Sequence, residues 1–263
     1  MAAQNLALKA VVSPLLVGGA SLAGRRFGHH VGGWLVGLPL TSGPVAFFLA
    51  TDHGTSFAAG AAIGMLAGTA SQVAFALAYR AAARRGPGRA ALVGCAAFAA
   101  ATAALSLLRW PALETFALVL ASLLVGYVVT ARRRPAGSPQ STPGSPPRWD
   151  VPARMLAATA VVVLITAAAP ALGPRLAGLL SPFPAFGAVL ALFTHHSHGH
   201  VGAGQVLDGL LLGLLAPAVF FLALALLLPV LALPAFAIAT PAAIAAQGAT
   251  MLAIPREVPR ASS

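Results

Sequence analysis

Apolar runs of about 20 residues, the length that crosses the hydrocarbon of a bilayer as a helix, recur along this chain. Short clusters of Arg, Pro, Ser and Gly separate them. The runs fall at about 5–23, 28–50, 55–79, 90–108, 113–130, 153–172, 176–194, 203–228 and 230–252, the last of them interrupted by Pro234 and Pro241. The pattern predicts an all-α fold, a polytopic membrane helix bundle of about nine transmembrane helices. Two runs carry a polar break and resemble each other. Residues 38–60 read LPLTSGPVAFFLATDHGTSFAAG, and residues 181–203 read SPFPAFGAVLALFTHHSHGHVGA. Set against each other without gaps, Pro39 falls on Pro182, Leu49 on Leu192, Thr51 on Thr194 and His53 on His196.

Composition agrees. The chain is 59% hydrophobic and 8% charged, with a mean hydropathy of +0.88, whereas soluble domains carry about 25% charged residues. A water-soluble fold is excluded on that ground. The single Cys95 rules out a disulfide framework within one chain and reads as a small packed hydrophobe. All but one of the 16 basic residues are Arg, in a chain rich in Ala, Gly and Pro, a bias that goes with a high-GC bacterial genome. The apolar run near the start has Lys9 before it, Pro14 within it and Arg25-Arg26 after it. It reads as a retained first helix, since a cleaved signal places its charge first and ends in small residues.

The net charge of +11 does not lie along one face, as a nucleic-acid surface would require; it sits between the apolar runs. With the N-terminus outside, thirteen basic residues fall on the cytoplasmic side: Arg25, Arg26, Arg80, Arg84, Arg85, Arg89, Arg132 to Arg134, Arg148, Arg154, Arg256 and Arg260. Lys9, Arg109 and Arg175 fall outside. An even number of runs separates each cluster from the next, so the positive-inside rule predicts nine helices in an inner membrane, N-out and C-in. Anionic lipid headgroups are the expected contacts of these arginines.

That parity organises the chain. Residues 1–110 form a first repeat of four helices, 111–134 a connecting helix, 135–150 a Pro/Ser/Gly cytoplasmic linker, 151–254 a second repeat of four helices, and 255–263 a polar tail. One connecting helix inverts the second repeat relative to the first. Inverted-topology repeats with broken helices in matching positions point to a transporter-like site where the repeats meet.

The segment LAGLLSPFPAFGAVLALFTHHSHGH, residues 176–200, carries an Ala-Gly-Leu, a Phe-Pro-x-Phe and a polar stretch with His. In this it resembles the GlpM-like family of very small bacterial inner-membrane proteins. The resemblance implies two such units fused in opposite orientation, and it brings no catalytic role. The first half departs from it, with Leu38-Pro39-Leu40-Thr41 where the second has residues 183–186.

Candidate chemistry concentrates at the breaks. Pro39 and Pro44 bracket Thr41, Ser42 and Gly43, which predicts a half-helix restarting near Pro44 with Thr41 or Ser42 as cap. Ser181-Pro182 reads as a Ser cap followed by Pro at the first helical position. Half-helix N-termini suit a carboxylate or other anionic group. Of the five acids, Asp52 and Asp208 lie at or within apolar runs, where an ionisable group usually faces a pathway. Asp52 beside His53 could relay protons. His195, His196, His198 and His200 lie within six residues, next to Thr194. Their Ser/Gly spacing predicts a flexible loop, and no HExxH or CxxC accompanies them. Gly60, Gly64 and Gly68 form a small-residue stripe, serving tight bundling or a dimer face.

No cofactor, metal or enzyme signature stands out. The expected function is a bacterial inner-membrane secondary transporter or permease for a small polar, anionic solute, with proton coupling. The candidate binding or coupling residues are Thr41, Ser42, Gly43, Asp52, His53, Ser181, Thr194, His195, His196 and Asp208. The alternatives are an accessory membrane subunit of a polysaccharide, lipid or natural-product export system, or an intramembrane metalloenzyme using His195 to His200 with Asp208. Expected partners are the lipid bilayer, a small-molecule solute, and a second copy or partner membrane protein.

Overall fold

Proline and glycine set the boundaries of the helices. The computed structural model describes residues 38–132 and 150–251, together with Leu15, Trp34 and Leu35. Eight α-helices follow one another there: α1 Ser42–His53, α2 Thr55–Ala82, α3 Pro87–Leu107, α4 Ala112–Arg132, α5 Asp150–Leu180, α6 Ala185–Gly213, α7 Leu215–Leu231 and α8 Ala235–Met251. A 3₁₀ turn, Ala83–Arg85, ends α2. Among the described residues every regular element is a helix. The 5–23 run apart from Leu15, the start of the 28–50 run, the 135–149 stretch and the polar tail lie outside the described residues.

Among the described residues, five stretches are long and apolar enough to cross a membrane: Thr55–Arg85, Pro87–Leu107, Ala112–Arg132, Val163–Leu180 and Gly187–Leu231. Leu92, Leu107, Leu113, Leu124, Leu156 and Leu164 lie exposed on α3, α4 and α5, the arrangement of an apolar bundle that meets lipid rather than water. The chain is a helical membrane protein.

α2 is the axis of the bundle. Two thirds of its apolar stretch is buried, against 22% for α3 and for α4, and it packs against α3, α4, α5 and α7. Its small residues make this possible. The Gly60, Gly64 and Gly68 stripe meets residues 174–182 at close range, with Gly64 directly against their backbone. A Cβ built on Gly64 would stand 2.4 Å from the Arg175 carbonyl oxygen, and one on Gly178 would stand 2.1 Å from that of Ala61. Gly60 faces Pro174, and Gly68 faces Leu179 and Pro182, so residues 174–182 run alongside α2 in the same direction. Of the two roles open to the stripe, it performs tight bundling.

The interruptions have a shared cause. A proline lacks the N–H that would bond four residues back, and its ring collides with that carbonyl. Pro44 does this to Leu40 and Pro184 to Leu180, so helix stops at 38–41 and at 181–184. Pro217 acts likewise on Gly213, where the chain turns at Leu214 between α6 and α7. Inside α5 and α6 single glycines leave helical geometry, Gly173 at φ 71° and Gly199 at φ 68°. At Gly199 the chain doubles back: a Cβ on Gly202 would come within 3.0 Å of Thr194 Cγ2, eight residues earlier. The 45 residues of Gly187–Leu231 are therefore no straight rod but a hairpin.

This corrects two expectations. The His195–His200 stretch is no flexible loop; it is helical on both sides of the one-residue reversal at Gly199. The returning helix starts at 200 rather than 203, and with α7 it reaches Leu231. In the last run, Pro234 precedes α8 and Pro241 lies inside it.

Candidate functional site

Two interruptions more than 140 residues apart in sequence meet at one cavity. Its wall includes residues 38–42 from the first break and residues 182–184 and Gly187 from the second, with Gln72 of α2 between them and Leu210, Pro217 and Phe221 behind. Its volume is ≈ 20 Å³, room for about one water. α1 starts here with Thr41 as its N-cap, and α6 starts here with Pro184 as its N-cap. The positive ends of two helix dipoles therefore converge on the same small space. Gln72 Nε2 donates to the Pro182 carbonyl, which the break leaves without an intrahelical partner.

The expected caps resolve differently at the two breaks. Thr41 occupies the N-cap of α1, yet no side-chain capping bond is made there. Ser42 is buried at 5% exposure and lines the cavity. Gly43 is buried against Phe220 and Pro39. Ser181 is not the cap of α6. Its backbone N–H and its hydroxyl donate to the Ala177 carbonyl at 3.2 and 2.7 Å, so it closes the end of α5. The reason is that Pro182 and Pro184 delay the next helix until Ala185.

The remaining sequence candidates separate into two groups. Asp52 and His53 are exposed at the α1–α2 junction, where Thr51 Oγ1 donates to Asp52 Oδ1 at 3.4 Å and the His53 ring lies on Phe57 at 5.0 Å. His195 and Asp208 lie beside Tyr79 and Arg80, near the other end of α2, about 36 Å away at 1.5 Å per residue. Thr194 is buried beside them and His196 is exposed. The candidates thus form no single constellation.

The group at the far end of α2 contains two residues the sequence did not single out. Arg80 Nη1 forms an ion pair with Asp208 Oδ1 and also donates to the Gly204 carbonyl at 3.1 Å. One residue earlier, the Tyr79 hydroxyl and His195 Nδ1 share a hydrogen bond of 3.2 Å. Tyr79 is fully buried, His195 is 6% exposed and Asp208 5%. An aspartate this deep usually has a cationic partner, and one turn of α2 beyond its apolar core supplies both the cation and the phenol. The absence of a side chain at Gly204 lets Arg80 lie flat there, its Nη1 3.3 Å from where a Cβ would stand.

Compared with protein-family models, curated proteins and solved structures, the chain matches none of them. The site must be read on its own geometry. Among the described residues no three His, Cys, Asp or Glu side chains converge as a metal site would need. His195 turns to Tyr79 and Asp208 to Arg80.

Proposed function

We propose that the chain is a secondary transporter or permease for a small polar solute, which binds where the two interrupted helices meet. The observation that carries this is the shared cavity. Backbone that leaves helical geometry inside a membrane bundle persists only where protein or a watered cavity surrounds it; here both breaks open on one space. Two helix N-termini flank it, which favours a solute with a carboxylate or other anionic group.

The order of elements supports an inverted duplication. The first break leads into α1, then Gly54 at φ 88°, then the long α2, then Gly86 at φ 99° and α3. The second leads into the first half of α6, then Gly199 at φ 68°, then 200–231, then Ala232 at φ 53° and α8. Each half thus repeats a break, a short helix, a left-handed reversal, a long helix and a second left-handed turn. With the arginines counted as cytoplasmic, the first short helix runs outward and the second inward. Reporter fusions after residue 86 and within 135–145 are expected to read cytoplasmic, and a fusion after His53 external. Opposite readings at the first two sites would remove the nine-helix inverted topology.

The second reading, an accessory subunit of an export system, would show as a stoichiometric partner on purification with no flux by the protein alone. The transport reading is tested by flux. Purified protein in proteoliposomes is expected to accelerate passage of at least one member of a panel of small carboxylates and phosphates. Gly187→Leu, which puts a branched side chain into the cavity wall, is expected to lower that flux at least tenfold with the helical content unchanged. Wild-type flux in this variant would exclude the cavity as the route, and no flux across the panel would exclude the proposed solute class.

A further inference from the structure

The contact between α2 and the interrupted segment 174–198 changes character along its length. From Gly60 to Gly68 it is a close approach of glycines to main chain and proline rings: Gly60 on Pro174, Gly64 on the backbone of Arg175 to Leu179, and Gly68 on the Leu179 carbonyl and Pro182. Beyond the break, from Gln72 onward, polar contacts accompany apolar packing: Gln72 on Pro182, Tyr79 on His195, and Arg80 on Asp208 and Gly204 of the returning arm, around a cluster of Val73, Phe75 and Ala76 with Ala191, Leu207 and Leu210. The change falls at residues 181–184, where two prolines remove helical hydrogen bonds. The first stretch is locked by close approach of main chain and proline rings; the second joins side-chain packing, which can separate and reform, to a few directional bonds that water or a solute could replace.

We infer that this second stretch is a gate: the hairpin of α6 swings on 181–184, and Arg80–Asp208 with Tyr79–His195 hold it shut against α2. The inference rests on the transport reading, because a gate needs a cavity to guard. Three observations support it. A cavity of ≈ 20 Å³ admits about one water, so passage of any solute requires the bundle to open. The bonding partners come from α2 on one side and α6 on the other, so opening at this end must break them together. A buried ion pair is an unusual way to gain stability, since desolvation offsets most of its attraction, yet it suits a contact that must form and separate as a unit. The basic residues Arg84 and Arg85 lie next along the chain, and His198 and His200 flank the reversal at Gly199. Solute approaching from this end therefore meets a rim of positive charge and imidazole before reaching the pair.

The test is solvent access to the cavity. Ser42, on the cavity wall, is replaced by cysteine in a Cys95→Ala background. Labelling by a membrane-impermeant maleimide is then followed in right-side-out and inverted vesicles. With the gate intact, labelling from the Arg84–Arg85 side is expected to be slow. Arg80→Gln with Asp208→Asn removes the pair without leaving a lone charge, and labelling from that side is expected to rise at least tenfold. Tyr79→Phe, a milder change, is expected to raise it about threefold. The reversed pair, Arg80→Asp with Asp208→Arg, is expected to return it toward the starting rate. If labelling proceeds at one rate in all these proteins, the gate is wrong and the open cavity stands. If Ser42→Cys is labelled from neither side in any of them, while denatured protein labels fully, the gate and the cavity reading fall together.

Discussion

Replacing Gly178 with alanine is expected to force apart the closest helix contact in the bundle. The added Cβ would stand 2.1 Å from the Ala61 carbonyl oxygen and 2.9 Å from its carbon, where real Cβ contacts essentially never come under 3.0 Å. A clash with a flexible side chain is relieved by a rotamer change. Here the obstacle is the backbone of α2, so α5 or α2 must move as a body. Overpacking typically costs about 1–3 kcal/mol. With both partners main chain, the cost is expected at or above the upper end, about 3 kcal/mol. For a chain of this size that corresponds to a fall in melting temperature of about 6–12 °C, read by thermal unfolding of the purified protein. Gly88→Ala is the matched control. Its Cβ meets nothing within 4 Å, and an alanine in a helix gains up to about 1 kcal/mol over glycine, so that variant should melt at or slightly above the wild type. Equal melting of Gly178→Ala and the parent would mean that the glycine stripe is not a contact surface in the folded protein.

That contact was half legible in the sequence. Gly60, Gly64 and Gly68 at four-residue spacing announce a face built for close approach, but spacing does not say what approaches. The partner, residues 174–182, has one glycine in the right place and is otherwise defined by Pro174 and Pro182, which read as helix breakers rather than packing surfaces. The helices α2, α3 and α4 were legible to within a few residues, because their apolar runs are bounded by Gly, Pro and Arg. The two breaks were legible for a similar reason: proline removes a hydrogen bond wherever it stands. The reversal at Gly199 was not. A run of four imidazoles with Ser and Gly among them has the composition of a loop, and only the packing of Gly202 on Thr194 reveals two helices meeting at a single residue.

The ion pair was hidden for a different reason. Arg80 belongs to a cluster with Arg84, Arg85 and Arg89, and clusters of this kind between apolar runs are read as orientation signals. α2 continues past its apolar core, so the first of these arginines still points into the bundle and reaches an acid 128 residues away. A buried aspartate with no cation near it in sequence is the signal that could have prompted the search. Asp208 was singled out as costly to bury; the step not visible from one strand of sequence was which arginine answered it.

Breaking this pair from its two sides should have unequal effects. Arg80→Gln leaves the Asp208 carboxylate, whose side chain is 5% exposed, without its cation; Asp208→Asn leaves an arginine whose side chain is 17% exposed. Removing one partner of a buried pair costs about 3–5 kcal/mol, most of it the penalty of the charge left behind. The deeper and more compact charge is the worse one to strand. Arg80 has a long stem that can carry its head toward the membrane surface, a freedom the short Asp208 side chain lacks. Arg80→Gln is therefore expected near the top of that range and Asp208→Asn near the bottom. The double variant strands no charge and leaves two amides able to bond each other, so its loss should be smaller than either single loss. A double-mutant cycle on thermal or denaturant unfolding reads this directly: a double loss below either single loss requires a coupling energy at least as large as the larger single loss, about 5 kcal/mol. Additive losses would show that Arg80 and Asp208 act independently, and that their ion pair does not hold the bundle closed at this end.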